Sequence, residues 1–234
     1  MPSSHCSFLS RRARVVLVLA LGSLASCTLL FFRYAATRQV GFGFLVWNLF
    51  LAWIPLGFAW LACVSRWPLW FRLPFAAAWL AFLPNTFYLV TDLQYLGPRP
   101  PVPLWWDILC LQSFAWNGLL LGFASLYWIH ERIERRFGLW TGVGFAATVL
   151  GLCGLGVYLG RIRRWNSWEV AQRPLELLGD LLYLVRHPTH DRTALLFTIA
   201  FAAFFGVCYL MLWVLAGWRR AGLRERLDFA RARP

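Results

Sequence analysis

Six long apolar stretches, each about the length a helix needs to cross the hydrocarbon core of a bilayer, dominate the chain. A crossing helix requires roughly 20 such residues, and the stretches run approximately over 15–32, 42–64, 73–91, 104–130, 139–160 and 193–218. They are apolar on every side, whereas barrel strands alternate and are shorter. A backbone in lipid must satisfy its own hydrogen bonds, which leaves helices. Composition adds that 60% of the 234 residues are hydrophobic and 14% charged, against about 45–50% and 25% in soluble domains. A water-soluble globular enzyme and a disordered chain are both excluded. The expected fold class is all-α: a polytopic membrane bundle of six transmembrane helices in a single integral membrane domain over 1–234, with Arg-rich tails at 1–14 and 219–234.

The formal net charge is +13, and every one of the 23 basic residues is Arg. These arginines lie between the apolar blocks rather than along one face, so nucleic acid is not the expected partner. They read as anchors that hold loops on the cytoplasmic side. With the N-terminus inside, Arg11, Arg12, Arg14, Arg66, Arg72, Arg132, Arg135, Arg136 and the cluster from Arg219 to Arg233 fall on the inner side. Arg33, Arg38 and Arg99 fall outside, which favours N-in/C-in. The segment from Arg161 to Arg192 breaks the pattern by carrying arginines on the outer side. Either the topology differs there, or those arginines have a task.

The cysteines, Cys6, Cys27, Cys63, Cys110, Cys153 and Cys208, stand singly, signalling neither a disulfide framework nor a structural zinc site. Leu24-Ala25-Ser26-Cys27 resembles a lipoprotein signal, but the apolar run continues from Thr28 to Phe32 and favours a plain first helix.

Ionisable and strongly polar groups are costly near a membrane and mark candidate sites. In the third stretch Pro84 removes a backbone donor and disturbs the carbonyl of Leu80, predicting a kink or opening beside Asn85, Thr86 and Asp92. Such a break lines a site in some membrane proteins; it is also a simple kink capped by Asn85 and Thr86. The fourth stretch opens with Trp105-Trp106-Asp107, where the Trp residues anchor at an interface and the carboxylate suits a helix N-terminus. Deeper in it, Ser113, Asn117 and Gly118 share a face suited to helix packing. Gly156 and Gly160 predict close packing of the fifth helix. Beyond them, Arg161, Arg163 and Arg164 with Asn166-Ser167 between Trp165 and Trp168 suit an anionic headgroup or phosphate. The same residues also suit interfacial anchoring and pairing with Asp92, Asp107 or Glu169. From Leu175 to Arg186 the pattern is a short amphipathic helix started by Pro174, resting on the interface or covering the site. His187, His190 and Asp191 lack reliable ligand spacing, so no metal and no cofactor is expected. His130, Glu131 and Arg135 are explained by a helix running out to Gly138.

Several blocks together resemble a known family. In order they are Asn48-Leu49-Phe50-Leu51-Ala52-Trp53-Ile54-Pro55, the stretch from Leu83-Pro84-Asn85-Thr86 to Thr91-Asp92-Leu93, Trp106-Asp107, Ala115-Trp116-Asn117-Gly118, Tyr158-Leu159-Gly160-Arg161, and Arg164-Trp165-Asn166-Ser167-Trp168. They resemble the bacterial multi-pass family catalogued as domain of unknown function 1361, over approximately 42–215. The resemblance implies an integral bacterial membrane protein and no particular activity. Tyr95 stands where that family leads one to expect His, and Glu169 where it leads one to expect Asp.

The topology brings Asn85, Asp92, Asp107, Arg161, Arg164, Asn166 and Glu169 to one outward level. The leading expectation is a site for an anionic lipid or a lipid-linked anionic envelope substrate, with membrane lipids as partners. Arg161 and Arg164 hold the charge, Asn85 and Asn166 orient it, and Asp92 or Asp107 is the general base if there is chemistry. A small-solute transporter using Asn117 and the broken third helix is one alternative. A non-catalytic scaffold or accessory subunit of an envelope complex is another. Whether the chain is an enzyme, and its oligomeric state, are left open by the residues.

Overall fold

The structure is a computed structural model that describes the backbone of residues 3–64, 67–98, 101–165, 169–186 and 192–231. Side chains are described within 12–216 of those ranges, apart from 170, 171, 174, 178, 181, 184 and 185. The helices are α1 (Ser3–Thr37), α2 (Phe44–Ala62), α3 (Leu69–Phe82), α4 (Pro84–Thr91), a 3-10 turn at Asp92–Tyr95, α5 (Leu104–Phe137), α6 (Leu139–Arg161), α7 (Glu169–Gln172), α8 (Pro174–Arg186) and α9 (Arg192–Arg231). No strand occurs among the described residues.

Six helical segments are long and apolar enough to cross a membrane: Arg12–Thr37, Phe44–Ala62, Leu69–Tyr95, Leu104–Phe137, Leu139–Arg161 and Arg192–Ala216. The all-α multi-pass architecture is therefore as the sequence predicts, span for span. Helix α5 continues past the end of the apolar stretch at His130 to Phe137, as the expected helix running out to Gly138 requires. A polar extension of this kind is held by the Arg135–Glu131 pair (2.9 Å). It stops where Gly138, at φ +93°, turns the chain and donates its N–H to the Glu134 carbonyl (2.9 Å).

The third span is broken where Pro84 predicts. Helix α3 ends at Phe82 and α4 begins at Pro84, which has no N–H to offer Leu80. Just past the break, the Thr86 hydroxyl donates to the Leu83 carbonyl (2.7 Å). Pro55 and Pro74 also lie inside helices, which continue through them.

Helix α5 is the centre of the bundle and packs against α1, α2, α4 and α6, while α9 lies against α6. Its buried face includes Leu111, Phe114, Leu121 and Leu126. The broken span approaches two neighbours closely enough to exclude side chains. A Cβ at Gly118 would lie 2.3 Å from the Thr86 carbonyl oxygen, and one at Gly156 would lie 2.5 Å from Pro84 Cγ. Gly160, one turn beyond Gly156, faces the Tyr88 ring. The close packing predicted for Gly156 and Gly160 is thus present, and α4 is the partner. Outward faces carry exposed Leu17, Leu24, Trp47, Phe50, Trp116 and Met211, the surface lipid tails would meet. Helix α8 starts at Pro174 as predicted. The Trp165 indole donates to its Asp180 carboxylate (2.9 Å), and Leu177 packs against the cluster of Tyr158, Leu159 and Ala194, leaving Leu175 and Leu182 exposed.

Candidate functional site

Successive spans run in opposite directions, so the C-terminal end of α1, the N-terminal ends of α2 and α5, the end of the third span and the C-terminal end of α6 share one end of the bundle. The sequence concentrates its polar candidates there. On the third span, Asn85, Tyr88, Asp92 and Tyr95 recur at helical spacing, and Thr91 lies beside them. The change from α to 3-10 winding at Asp92 brings Asp92 and Tyr95 into line.

Arg161, in the last turn of α6, is received by this face. Its Nε donates to the Thr91 hydroxyl (2.8 Å), one terminal nitrogen to the Tyr95 hydroxyl (3.3 Å), and the other pairs with the Asp92 carboxylate. The second Asp92 oxygen accepts from the Asn48 amide of α2 (3.0 Å). The guanidinium stands 3.9 Å from the Tyr88 ring centroid and 5.6 Å from that of Tyr95. Side-chain exposure is 1% for Asp92 and 8% for Arg161, so the pair is buried with one edge still accessible. A buried carboxylate needs this number of donors, because an isolated charge in an apolar setting is prohibitive.

Asp107 belongs to a second pair. Both of its oxygens are held by Arg33 of α1, at 2.6 and 3.2 Å, with side-chain exposures of 3% for Arg33 and 1% for Asp107. The Arg33 guanidinium lies 4.4 Å from the Phe42 ring. Aromatic contacts run from Phe42 to Phe44 (6.3 Å) and from Phe44 to Tyr95 (5.1 Å), linking the two pairs.

The family model described as Protein of unknown function (DUF1361) matches residues 47–208. The chain belongs to this family. No curated protein and no solved structure matches it. The DUF1361 region contains Asn48, Tyr88, Thr91, Asp92, Tyr95, Asp107 and Arg161, whereas Arg33 lies before it.

Of the predicted site residues, Asp92 and Arg161 are in direct contact. Asn85 lies on the same helical face, about 10 Å deeper by helical rise, and is half-buried. Arg164 is exposed, takes φ +60°, and lies near enough to Tyr88 to act on it electrostatically. That left-handed conformation, uncommon for a residue with a side chain, precedes the return of the Trp165 N–H to the Leu159 carbonyl (3.1 Å). Glu169 pairs with Arg173 one turn on. Arg173 is also 3.3 Å from Glu176, and these carboxylates push its pKa above the ordinary arginine value. Asn117 sits further along α5, donating to the Ser26 hydroxyl (2.7 Å) and the Ser113 carbonyl (3.0 Å). Asn166, with Ser167, Trp168, Arg66, Arg99, His187, His190 and Asp191, lies outside the described residues.

Sequence reasoning missed Arg33 as a partner, having assigned it to a loop. Because α1 continues to Thr37, Arg33 is helical and shares the α5-facing side with Ser26, which meets Asn117. The signal was a polar stripe on α1 running antiparallel to Asn117 and Asp107 on α5. Asn48, a polar residue inside the apolar second span, was the corresponding signal for Asp92. Tyr95 accepts from Arg161, a contact that an imidazole nitrogen is also able to accept.

Proposed function

We propose that this DUF1361 protein binds an anionic lipid or a lipid-linked anionic envelope substrate at the Asp92–Arg161 cluster. The observation that carries the reading is the divided attention of Arg161: its three nitrogens serve Thr91, Tyr95 and Asp92. Two of those partners are neutral hydroxyls, which a phosphate or carboxylate oxygen replaces with gain, since hydrogen bonds between charged groups are roughly twice as strong. Asp92 stays as the counter-charge, held by Asn48. Exposed Arg164 meets the headgroup first. Asp107, whose two oxygens both accept from the buried Arg33, is left out of this reading.

A scaffold or accessory role is the second reading, favoured by the use of Asp107 and Asn117 in contacts between α1 and α5. Asn117, which a midplane transport path would need, is engaged in that packing.

The test is native mass spectrometry of phospholipid retained by the protein released from nanodiscs. R161Q and R164Q should each lose anionic lipid relative to wild type, while R135Q, at the other end of the bundle, should not. Equal retention in all four would sink the binding reading and leave the scaffold one.

A further inference from the structure

The contacts of Arg161 are unequal, and the inequality gives Tyr95 a task. Two of the three nitrogens point into the bundle. Nε donates to the Thr91 hydroxyl (2.8 Å), and Nη2 serves Thr91 and the Asp92 carboxylate, all in partly buried surroundings. The Thr91 hydroxyl hydrogen is committed to the Tyr88 carbonyl (2.6 Å), which leaves its oxygen lone pairs to face Arg161. The Tyr88 ring covers one face of the guanidinium, 3.9 Å away. What is left is the edge at Nη1. Its partner is the Tyr95 hydroxyl at 3.3 Å, the longest of these hydrogen bonds and the exposed one.

Tyr95 is placed to let go. It ends the 3-10 turn and is 39% exposed, whereas Asp92 at the start of that turn is buried. Its ring meets the Phe44 ring edge-on, with centroids 5.1 Å apart, and Phe44 itself reaches the surface. The hydroxyl is therefore free to turn from Nη1 into water while the ring keeps its aromatic neighbour, so no buried polar group is orphaned. Thr91 has no such exit, because its hydroxyl is pinned on both sides. An anionic oxygen at Nη1 makes a stronger bond than the neutral hydroxyl it replaces.

We propose that Tyr95 is the gate of the Asp92–Arg161 site: its hydroxyl holds the accessible nitrogen of Arg161, and an oxygen of a phosphate-type headgroup binds there by displacing it. The gate rests on the binding reading above and narrows it, since of the two hydroxyls on Arg161 only that of Tyr95 is exchanged. Tyr95 thus competes with the ligand, and removing its hydroxyl strengthens binding. A residue that helped to hold the ligand would do the opposite.

The test compares full-length wild type, Y95F, R161Q and R161Q/Y95F in phosphatidylcholine nanodiscs containing one of two probes, phosphatidylglycerol or a polyprenyl phosphate. Probe retained on release is counted by native mass spectrometry. Y95F keeps the ring beside Phe44 and loses only the oxygen. It should retain at least one probe about threefold or more above wild type, roughly the worth of one hydrogen bond. That gain should vanish in R161Q/Y95F. A gain with phosphatidylglycerol assigns a phospholipid headgroup, and a gain with the polyprenyl phosphate alone assigns a lipid-linked substrate. Equal or lower retention by Y95F, with R161Q reduced, would overturn the gate and leave the binding reading standing. Retention by R161Q equal to wild type with both probes would overturn both. A gain in Y95F that survives in R161Q/Y95F does not act through Arg161 and would also overturn the gate.

Discussion

The two buried ion pairs at the Asp107 end contain the same chemical groups and are held in different ways. Arg33 and Asp107 close on each other through two parallel hydrogen bonds, and neither has an accessible edge. Asp92 and Arg161 are each shared: Asn48 takes part of the carboxylate, and Thr91, Tyr95 and the Tyr88 ring take part of the guanidinium. A closed pair has no capacity left for a ligand and acts as a clamp between helices. A shared pair exchanges neutral partners without exposing a bare charge. Position along the chain sets the difference. Asp107 lies in the first turn of α5, where that helix packs against α1, whereas Arg161 ends a helix where the chain turns toward α7 and α8.

The largest effect expected from this contrast is on the closed pair. Arg33→Gln leaves Asp107 buried without its partner and should lower stability by about 3–5 kcal/mol, read as loss of the folded fraction in detergent titrations. Replacing both, as R33M/D107L, should recover most of that loss, because an apolar pair of similar size avoids the desolvation cost. If the double variant is as unstable as the single one, the clamp is not a self-contained unit. Next in size, Arg161→Gln should cost about 1–3 kcal/mol: Asp92 keeps Asn48, and the 8% exposure of Arg161 marks an edge through which water enters. A loss equal to that of Arg33→Gln would erase the distinction between the pairs. Asn48→Ala removes one hydrogen bond to a carboxylate and should cost about 1.5 kcal/mol, the low end for such a bond, with anionic-lipid retention weakened but not abolished. Smallest of all is Arg164→Gln, an exposed change expected to stay within about ±0.5 kcal/mol while reducing lipid retention. Unchanged retention in this variant would remove Arg164 from the site.

Much of the fold was legible in the residues because membrane crossing is a property of each segment taken alone. The six spans, the break at Pro84, the helix start at Pro174 and the small-residue face of Gly156 and Gly160 all follow from local rules. The Asp92–Arg161 contact was one of several pairings the sequence left open. Arg33 was hidden because arginine near the end of an apolar run looks like a loop anchor. Its neighbours on the helix surface become visible only when α1 is followed to Thr37. Asn48 and Thr91 carry no charge and stand within apolar runs, so they drew no separate reading until Asp92 and Arg161 met them.

The sequence by itself determined that this protein is a bundle of apolar helices, where its third span breaks, and that its polar groups gather toward the span ends. Only the tertiary structure decided which arginine meets which aspartate, because partners separated by 74 and 69 residues are chosen by the register of packed helices. Hydrophobic length fixes a span, but it leaves free the rotation and sliding that bring one side chain opposite another. Those are set by the close approaches at Gly118 and Gly156, contacts that exist only once the helices are together.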